Sequence, residues 1–173
     1  MTSGARSSFR TFTATDGTTF EDRNEYRRHE FATQYTFKDK TGETLVRKPG
    51  EISGQPFNLE NLTDCTVILA DHSDQLQLDF LVNCRIFIGP SSESVFIRNC
   101  TNCQITIACK QFRTRECTDC VFSLFSQSDP IIEMSTGMAF SGFCGAYPEL
   151  GAHFEAAGLI PDNNHWSAVF DFR

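Results

Sequence analysis

The sequence predicts a mainly β fold: a right-handed parallel β-helix with about 19 residues per coil. The first observation is an internal repeat between residues 57 and 143, in which four segments end in cysteine: Leu62–Cys65, Leu81–Cys84, Cys100–Cys103 and Cys117–Cys120. The final cysteines are 19, 19 and 17 residues apart. This period is too short for a βαβ unit, which needs roughly 30 residues, but it suits one coil of a solenoid.

The second observation is a two-residue alternation of apolar side chains within each repeat. Apolar residues stand two and four positions after each final cysteine: Val67 and Leu69, Ile86 and Ile88, Ile105 and Ile107, Phe122 and Leu124. A second alternating strand follows half a repeat later: Leu76 and Leu78, Val95 and Ile97, Phe112 and Thr114. Because successive side chains of a strand point to opposite faces, each of these sets is expected to line the interior.

The two ends of the repeat region have patterns of their own, as a solenoid requires covered ends. Residues 1–8 are predicted to be a disordered tail, and residues 9–48 a small N-terminal cap unit. Within this unit a hairpin turn at Asp16-Gly17 precedes a short helix over 21–31. Residues 49–173 are predicted to form the β-helix domain, including a helix over 148–157 with proline at its start and Gly158 at its end.

Composition excludes several classes of function. The chain has 173 residues and a formal net charge of -7, which argues against nucleic-acid binding because that function needs a basic surface. No apolar run approaches the length of a membrane span, and the N-terminus has no apolar signal-peptide core, so no direct membrane anchor is expected. The expected location is the cytoplasm, where thiols are reduced.

The eight cysteines allow two interpretations. Cys100-x-x-Cys103 and Cys117-x-x-Cys120 have the spacing of a zinc ribbon. The repeat favours the other interpretation, because the columns that hold these cysteines hold leucine or cysteine in the earlier coils. A free cysteine behaves as a small buried hydrophobic residue, so we expect structural thiols in the core and no metal site.

The strand over 110–117 directs polar residues outward. Phe112 and Thr114 are in the inward phase, so Gln111, Arg113 and Arg115 are expected to share the outer face. Counting from the shared cysteine column places Arg98 beneath Arg115, and Phe96 beneath Arg113, in the preceding coil. The alternative interpretation is a solvated face whose arginines form salt bridges with Glu116 or Glu93, as is more common in solenoids. No triad or phosphate-binding loop is present elsewhere, so a self-contained active site is not predicted.

The string Gln111–Cys117 closely resembles the signature of the tubulin-binding cofactor C domain. Further motifs extend the match over about residues 45–173, and the chain is identified as a member of this family. The supporting strings are Gly54-Gln55-Pro56-Phe57, Asp71-His72-Ser73, Ile86-Phe87-Ile88-Gly89-Pro90, Ser94-Val95-Phe96, Pro130-Ile131-Ile132-Glu133, Tyr147-Pro148-Glu149-Leu150 and Asn163-Asn164-His165-Trp166-Ser167.

The resemblance implies a β-helix and a GTPase-activating protein that supplies an arginine finger in trans. Arg113 would be the finger, entering the nucleotide site of an Arf-like small GTPase in its GTP state or of tubulin. Gln111 and Glu133 would border the finger and contact the partner. Lys110 stands where the family commonly has glutamine, a change that would alter partner choice.

Two further arginines complete the expected partner-binding face. Arg115 would hold the face together through acidic neighbours, and Arg98 lies beneath it. No cofactor is implied. The alternative function is a binding module without catalysis, a cytoskeletal or ciliary scaffold that uses the same face. Under either interpretation the protein would act in the cytoplasm, at the cytoskeleton or at the base of a cilium or flagellum.

Overall fold

Two parallel sheets of six and seven strands wind around one core in the computed structural model, which describes residues 10–173. Consecutive strands alternate between the two sheets, so each pair of strands forms one coil, and successive coils pair in parallel. This confirms the predicted parallel β-helix. The predicted tail over residues 1–8 lies outside the described residues.

The elements follow one another in a regular order. They are β1 (Phe12–Thr13), β2 (Thr19–Phe20), α1 (Arg23–Gln34), β3 (Thr36–Thr41), β4 (Thr44–Arg47), β5 (Phe57–Thr63), β6 (Thr66–Leu69), β7 (Leu76–Val82), β8 (Arg85–Ile88), β9 (Ser94–Arg98), β10 (Gln104–Cys109), β11 (Gln111–Arg115), β12 (Val121–Ser126), β13 (Ile131–Glu133), β14 (Ala139–Gly142), α2 (Leu150–Ala156) and β15 (Phe170–Phe172). The pairs from β3/β4 to β13/β14 are coils one to six, and β15 extends the seven-stranded sheet beyond coil six. No helix among residues 10–173 is long and apolar enough to cross a membrane.

Each coil turns between its two sheets at a pair of residues with positive φ. The first corner column is Asp39, Asn61, Phe80, Asn99, Glu116 and Met134. The second corner column is Gly42, Asp64, Asn83, Asn102, Asp119 and Gly137. Glycine adopts positive φ without steric cost, and Asn and Asp tolerate it better than other residues. The recurrent Asn and Asp before each final cysteine therefore set the second turn of the coil.

The predicted inward residues form the core. Those of β7, β9 and β11 lie in register across the seven-stranded sheet, and Leu76, Val95 and Phe112 are no more than 2% exposed. In coil five Phe112 and Phe122 meet edge to face across the interior, with 5.0 Å between ring centroids. The Phe122 ring stacks on Phe140 of coil six at 5.2 Å. Aromatic packing thus fills the interior beneath strand β11.

The cysteines of the repeat lie in this core. Cys65, Cys84, Cys103 and Cys120 are at most 2% exposed, and each directly precedes a strand of the six-stranded sheet. Their thiols donate to backbone carbonyls, as Cys84 Sγ does to Val82 at 3.4 Å. Burial raises the pKa of Cys109, another core thiol. Among residues 10–173 no cluster of His, Cys, Asp or Glu could hold a metal ion.

The N-terminal region pairs with the solenoid through its last two strands. The hairpin of β1 and β2 and helix α1 form a separate unit, but β3 pairs with β5 and β4 pairs with β6, all in parallel. The sequence placed these strands within the cap unit over 9–48. Their backbones instead form coil one, because alternating residues such as Phe37 and Leu45 complete the apolar columns.

Asp16 links the hairpin to helix α1, and this link predicts a pH dependence. Its carboxylate accepts from Thr18 N at 3.0 Å and lies 2.6 Å from His29 Nε2. The hydrogen bonds from Thr18 and His29 lower the pKa of Asp16 to about 2. Because the folded state holds this carboxyl ionised, its stabilisation is present above the ordinary aspartate pKa of 3.8 and is lost as pH falls through about 2.

We therefore expect Asp16→Asn to reduce the acid sensitivity of the N-terminal unit. Thermal unfolding followed by circular dichroism at pH 7, 4 and 2.5 would show a smaller drop in Tm on acidification than in the wild type. Asp162→Asn is the matched control, because no hydrogen bond or ion pair involves that carboxylate among the described residues. Equal acid sensitivity in Asp16→Asn and the wild type would contradict this assignment.

Helix α2 packs against the side of coils four and five. Its Phe154 ring meets Phe125 at 5.1 Å and Phe143 at 5.9 Å, over buried Ala108. Its His153 connects Tyr147 to the buried carboxylate of Asp71 through contacts of 2.6 and 3.3 Å. The helix predicted over 148–157 is thus present as Leu150–Ala156.

Candidate functional site

Strand β11 presents its polar side chains on the outer face of the seven-stranded sheet. Phe112 and Thr114 are buried, whereas Gln111, Arg113 and Arg115 are exposed. Parallel strands β9 and β13 flank β11 on either side, in registers that place Phe96 beside Arg113 and Arg98 beside Arg115. The outward face and its register therefore agree with the prediction. Pairing along both edges fixes the backbone of β11. The side chains of β11 therefore project from a fixed position, which favours precise placement of Arg113.

Arg113 is held by two neighbours and remains accessible. Its Nη2 donates to Glu133 Oε1 at 2.8 Å, and its guanidinium carbon lies 5.5 Å from the centroid of the Phe96 ring. The Arg113 side chain is 53% exposed, compared with 25% for Glu133. Ion pairs this exposed contribute little net stability, so solvent or a stronger anion can replace Glu133 at small cost. The guanidinium is oriented without being sequestered.

Arg98 forms a second ion pair next to the first. Its Nη2 donates to Asp79 Oδ2 at 2.8 Å, and Asn99 donates to the other oxygen of the same carboxylate at 3.1 Å. The guanidinium carbon of Arg98 lies 5.1 Å from the Phe96 ring centroid. Phe96 therefore contacts two guanidinium groups, and cation–π attraction to its face supports both. The sequence register had placed Phe96 beside Arg113, but this double contact was not predicted.

Arg115 and Lys110 occupy the margins of the face. Within residues 10–173 the exposed Arg115 guanidinium makes no ion pair, although strand register places Glu133 opposite it. The Glu133 carboxylate reaches the diagonal neighbour Arg113 instead, a distance that long side chains span across a sheet. Acidic neighbours were expected to hold Arg115, and in the structure they hold Arg113 and Arg98. Lys110 is exposed in the turn before β11, where its carbonyl accepts from Ser128 N at 3.1 Å.

A cleft of about 840 Å³ opens beside Arg113 on the same face. Phe96, Gln111, Arg113 and Ile131 line it from the strands. Its other polar residues are Gln75, Gln77, Ser94, Gln127, Ser128, Asp129 and His165. Amide groups both donate and accept hydrogen bonds, so this lining suits a polar protein surface or ligand. Arg115, Arg98, Glu133 and Lys110 lie outside the lining.

Two of the lining residues, Asp129 and His165, lie in segments that connect strands. His165 Nδ1 lies 2.8 Å from Asp129 Oδ1, and its Nε2 lies 2.8 Å from Asn163 Oδ1. This contact joins the loop after β12 to the segment before β15. Sequence reasoning did not assign Asp129 or His165 to the site, because these residues follow neither the period of the coils nor the alternation of a strand.

The fold and this face define a class: a β-solenoid domain that presents an accessible arginine beside a cleft lined with amide groups. The family model described as "Tubulin binding cofactor C" matches residues 54–172, and the chain belongs to that family. The family predicted from the motifs is therefore confirmed.

Several relatives align over most of the chain. The similarity is 50% identity over 138 residues with Protein XRP2 of Gallus gallus, covering 80% of this chain and 39% of that protein. Protein XRP2 of Homo sapiens is 47% identical over 138 residues, covering 80% and 39%. Tubulin-specific chaperone C of Homo sapiens is 32% identical over 137 residues, covering 79% and 40%. The chain spans about two fifths of the length of these curated relatives.

Proposed function

We propose that this chain is a GTPase-activating protein that places Arg113 in the nucleotide site of a GTP-binding partner, an Arf-like small GTPase in its GTP state or tubulin. The observation that carries the proposal is the position of Arg113, which projects from a strand paired on both edges and is 53% exposed. Family membership supports it, since one relative is named as a tubulin-specific chaperone.

The proposed mechanism is electrostatic. Negative charge builds up on the oxygens of the transferring phosphoryl group during GTP hydrolysis, and a guanidinium placed there stabilises the transition state. Before docking, Glu133 holds Arg113 at 2.8 Å. In the complex the γ-phosphate oxygens replace that carboxylate, because an exposed ion pair is weak and a phosphate is a strong bidentate acceptor for arginine. Phe96 stays beneath the guanidinium and keeps it extended.

The rest of the face would bind the partner. Gln111 in the cleft offers both a donor and an acceptor to the partner's backbone. Arg115, with no ion pair among the described residues, is available to an acidic group of the partner, while Arg98 and Lys110 border the contact. With tubulin or an Arf-like GTPase as partner, the protein would act in the cytoplasm, at the cytoskeleton or at the base of a cilium or flagellum.

The alternative function is a binding module that does not accelerate hydrolysis. The observation that favours it is the closed ion pair between Arg113 and Glu133. A scaffold would keep this pair intact and use the cleft and Arg115 for contact with a cytoskeletal or ciliary partner.

Single-turnover hydrolysis distinguishes the two functions. Each member of a panel of GTP-loaded Arf-like GTPases, and the tubulin heterodimer, is mixed with excess chain, and phosphate release is measured with time. We expect at least one partner to be accelerated by a factor of about 10³ or more. Binding to a partner without acceleration would establish the scaffold and contradict the activating role.

A further inference from the structure

One corner of the solenoid carries a large aromatic side chain on an unfavourable backbone conformation. Phe80 has a φ of 56° and is 56% exposed. Its corner column holds Asp, Asn or Glu in coils one, two, four and five, and Met134 in the last coil. A residue with a bulky side chain rarely adopts positive φ, and strained positions of this kind cluster at functional sites. Packing gives no reason for Phe80, because most of its surface faces solvent.

The adjacent column departs from its pattern in the same coil. Val82 is 44% exposed and stands in a column that is threonine at every other paired position: Thr41, Thr63, Thr101, Thr118 and Thr136. Phe80 and Val82 are two residues apart, on either side of the buried Leu81. In coil three both of these positions are therefore apolar, whereas both are polar in coils one, two, four and five.

This apolar corner is continuous with the arginine face. Phe80 follows Asp79, which pairs with Arg98, and Arg98 lies beside Arg115 in strand register. The strand of Phe80 is two coils from the strand of Arg113, or about 10 Å along the solenoid axis. A typical protein interface buries about 800 Å² on each partner, so one docked protein can cover both places.

The charges near the corner indicate the chemistry of the surface that covers it. Asp39 and Asp64 are exposed, and their carboxylates accept hydrogen bonds from the neutral amides of Asn61 and Asn83. Within residues 10–173 neither carboxylate forms an ion pair, so the neutral amides do not cancel these negative charges. A complementary surface therefore has an apolar recess bordered by basic side chains. A second copy of this chain, with its net charge of -7, would bring acidic groups against these acids.

We propose that Phe80 and Val82 are an apolar anchor for the same GTP-binding protein that receives Arg113, a proposal that rests on the proposed function. The anchor increases the affinity for the partner, whereas Arg113 increases the rate of GTP hydrolysis. A few exposed aromatic residues commonly supply most of the binding free energy of an interface, and strained positions are retained where binding uses them.

The test replaces the corner with the residues that the other coils use. Phe80→Asn, alone and with Val82→Thr, is assayed by single-turnover hydrolysis on whichever Arf-like GTPase or tubulin the wild type accelerates. We expect the concentration of chain that gives half-maximal rate to rise roughly tenfold, the maximal rate to stay unchanged, and Tm to rise by about 2–4 °C because the strain is relieved. Val121→Thr is the matched control, because Val121 is 48% exposed on the other sheet. This variant should change neither the half-maximal concentration nor the maximal rate nor Tm.

The possible results separate the anchor from the activity. If the wild type accelerates no partner, the proposed function fails, and the anchor fails with it. If the wild type is active and Phe80→Asn has the same half-saturation, only the anchor is wrong. A fall in Tm, a change confined to the maximal rate, or loss of self-association in sedimentation would also overturn the anchor, since each would give Phe80 another role.

Discussion

Arg113→Ala is expected to abolish the acceleration of GTP hydrolysis, lowering the maximal single-turnover rate by a factor of about 10³ to 10⁵. The guanidinium is an exposed cation on a strand paired along both edges, and a cleft opens beside it. Alanine removes the positive charge at the phosphoryl oxygens while leaving the buried side of β11 intact. The measurement is phosphate release at a saturating concentration of the chain. Binding to the GTP-loaded partner is measured separately.

Two further variants test whether the acceleration depends specifically on the planar guanidinium of Arg113. Arg113→Lys keeps the charge but lacks the two-pronged donor geometry, so most of the acceleration should still be lost. Arg85→Ala removes an exposed arginine from the outer face of the six-stranded sheet and should leave the rate unchanged. Wild-type rates in Arg113→Ala, with a partner that the wild type accelerates, would exclude the finger.

Most of the fold and the direction of Arg113 could be predicted because the repeat sets both. A column of cysteines at constant phase aligns the coils, and the period of two then assigns each residue of a strand to the interior or the outside. For this reason Phe96 could be placed beside Arg113 by counting alone. The same periodicity gave no information about the loops that connect the strands. Asp129 and His165 entered the cleft from loops whose positions depend on tertiary packing.

The choice of ion pairs could not be predicted either. Strand register places the Glu133 backbone opposite Arg115, but the Glu133 carboxylate forms its ion pair with Arg113. Two arginines on one strand face compete for one carboxylate, and side-chain rotamers decide between them. The boundary of the N-terminal unit was set by a similar competition. Strands β3 and β4 precede the first cysteine column, so nothing in the repeat marked them as coil one, yet their apolar residues bury against coil two.

The side chain beneath Arg113 provides the second large effect. Phe112→Ala is expected to lower the free energy of unfolding by about 3–5 kcal/mol, the usual cost of removing a buried phenylalanine. Phe112 is 2% exposed, and its ring meets Phe122 at 5.0 Å and Phe140 at 6.0 Å between centroids. Alanine would leave a cavity between the two sheets, since paired strands on both sides prevent the core from collapsing into it.

Urea denaturation and thermal scans measure this effect, and we expect Tm to fall by roughly 8–16 °C. Phe172→Ala is the matched control, because that ring is 48% exposed on the last strand and its removal should cost clearly less than the removal of Phe112. Similar losses for the two variants would mean that β11 does not rest on a packed core. Arg113 would then lack the rigid support on which its placement depends, because the residue that packs inward and the one that projects outward are adjacent on one strand.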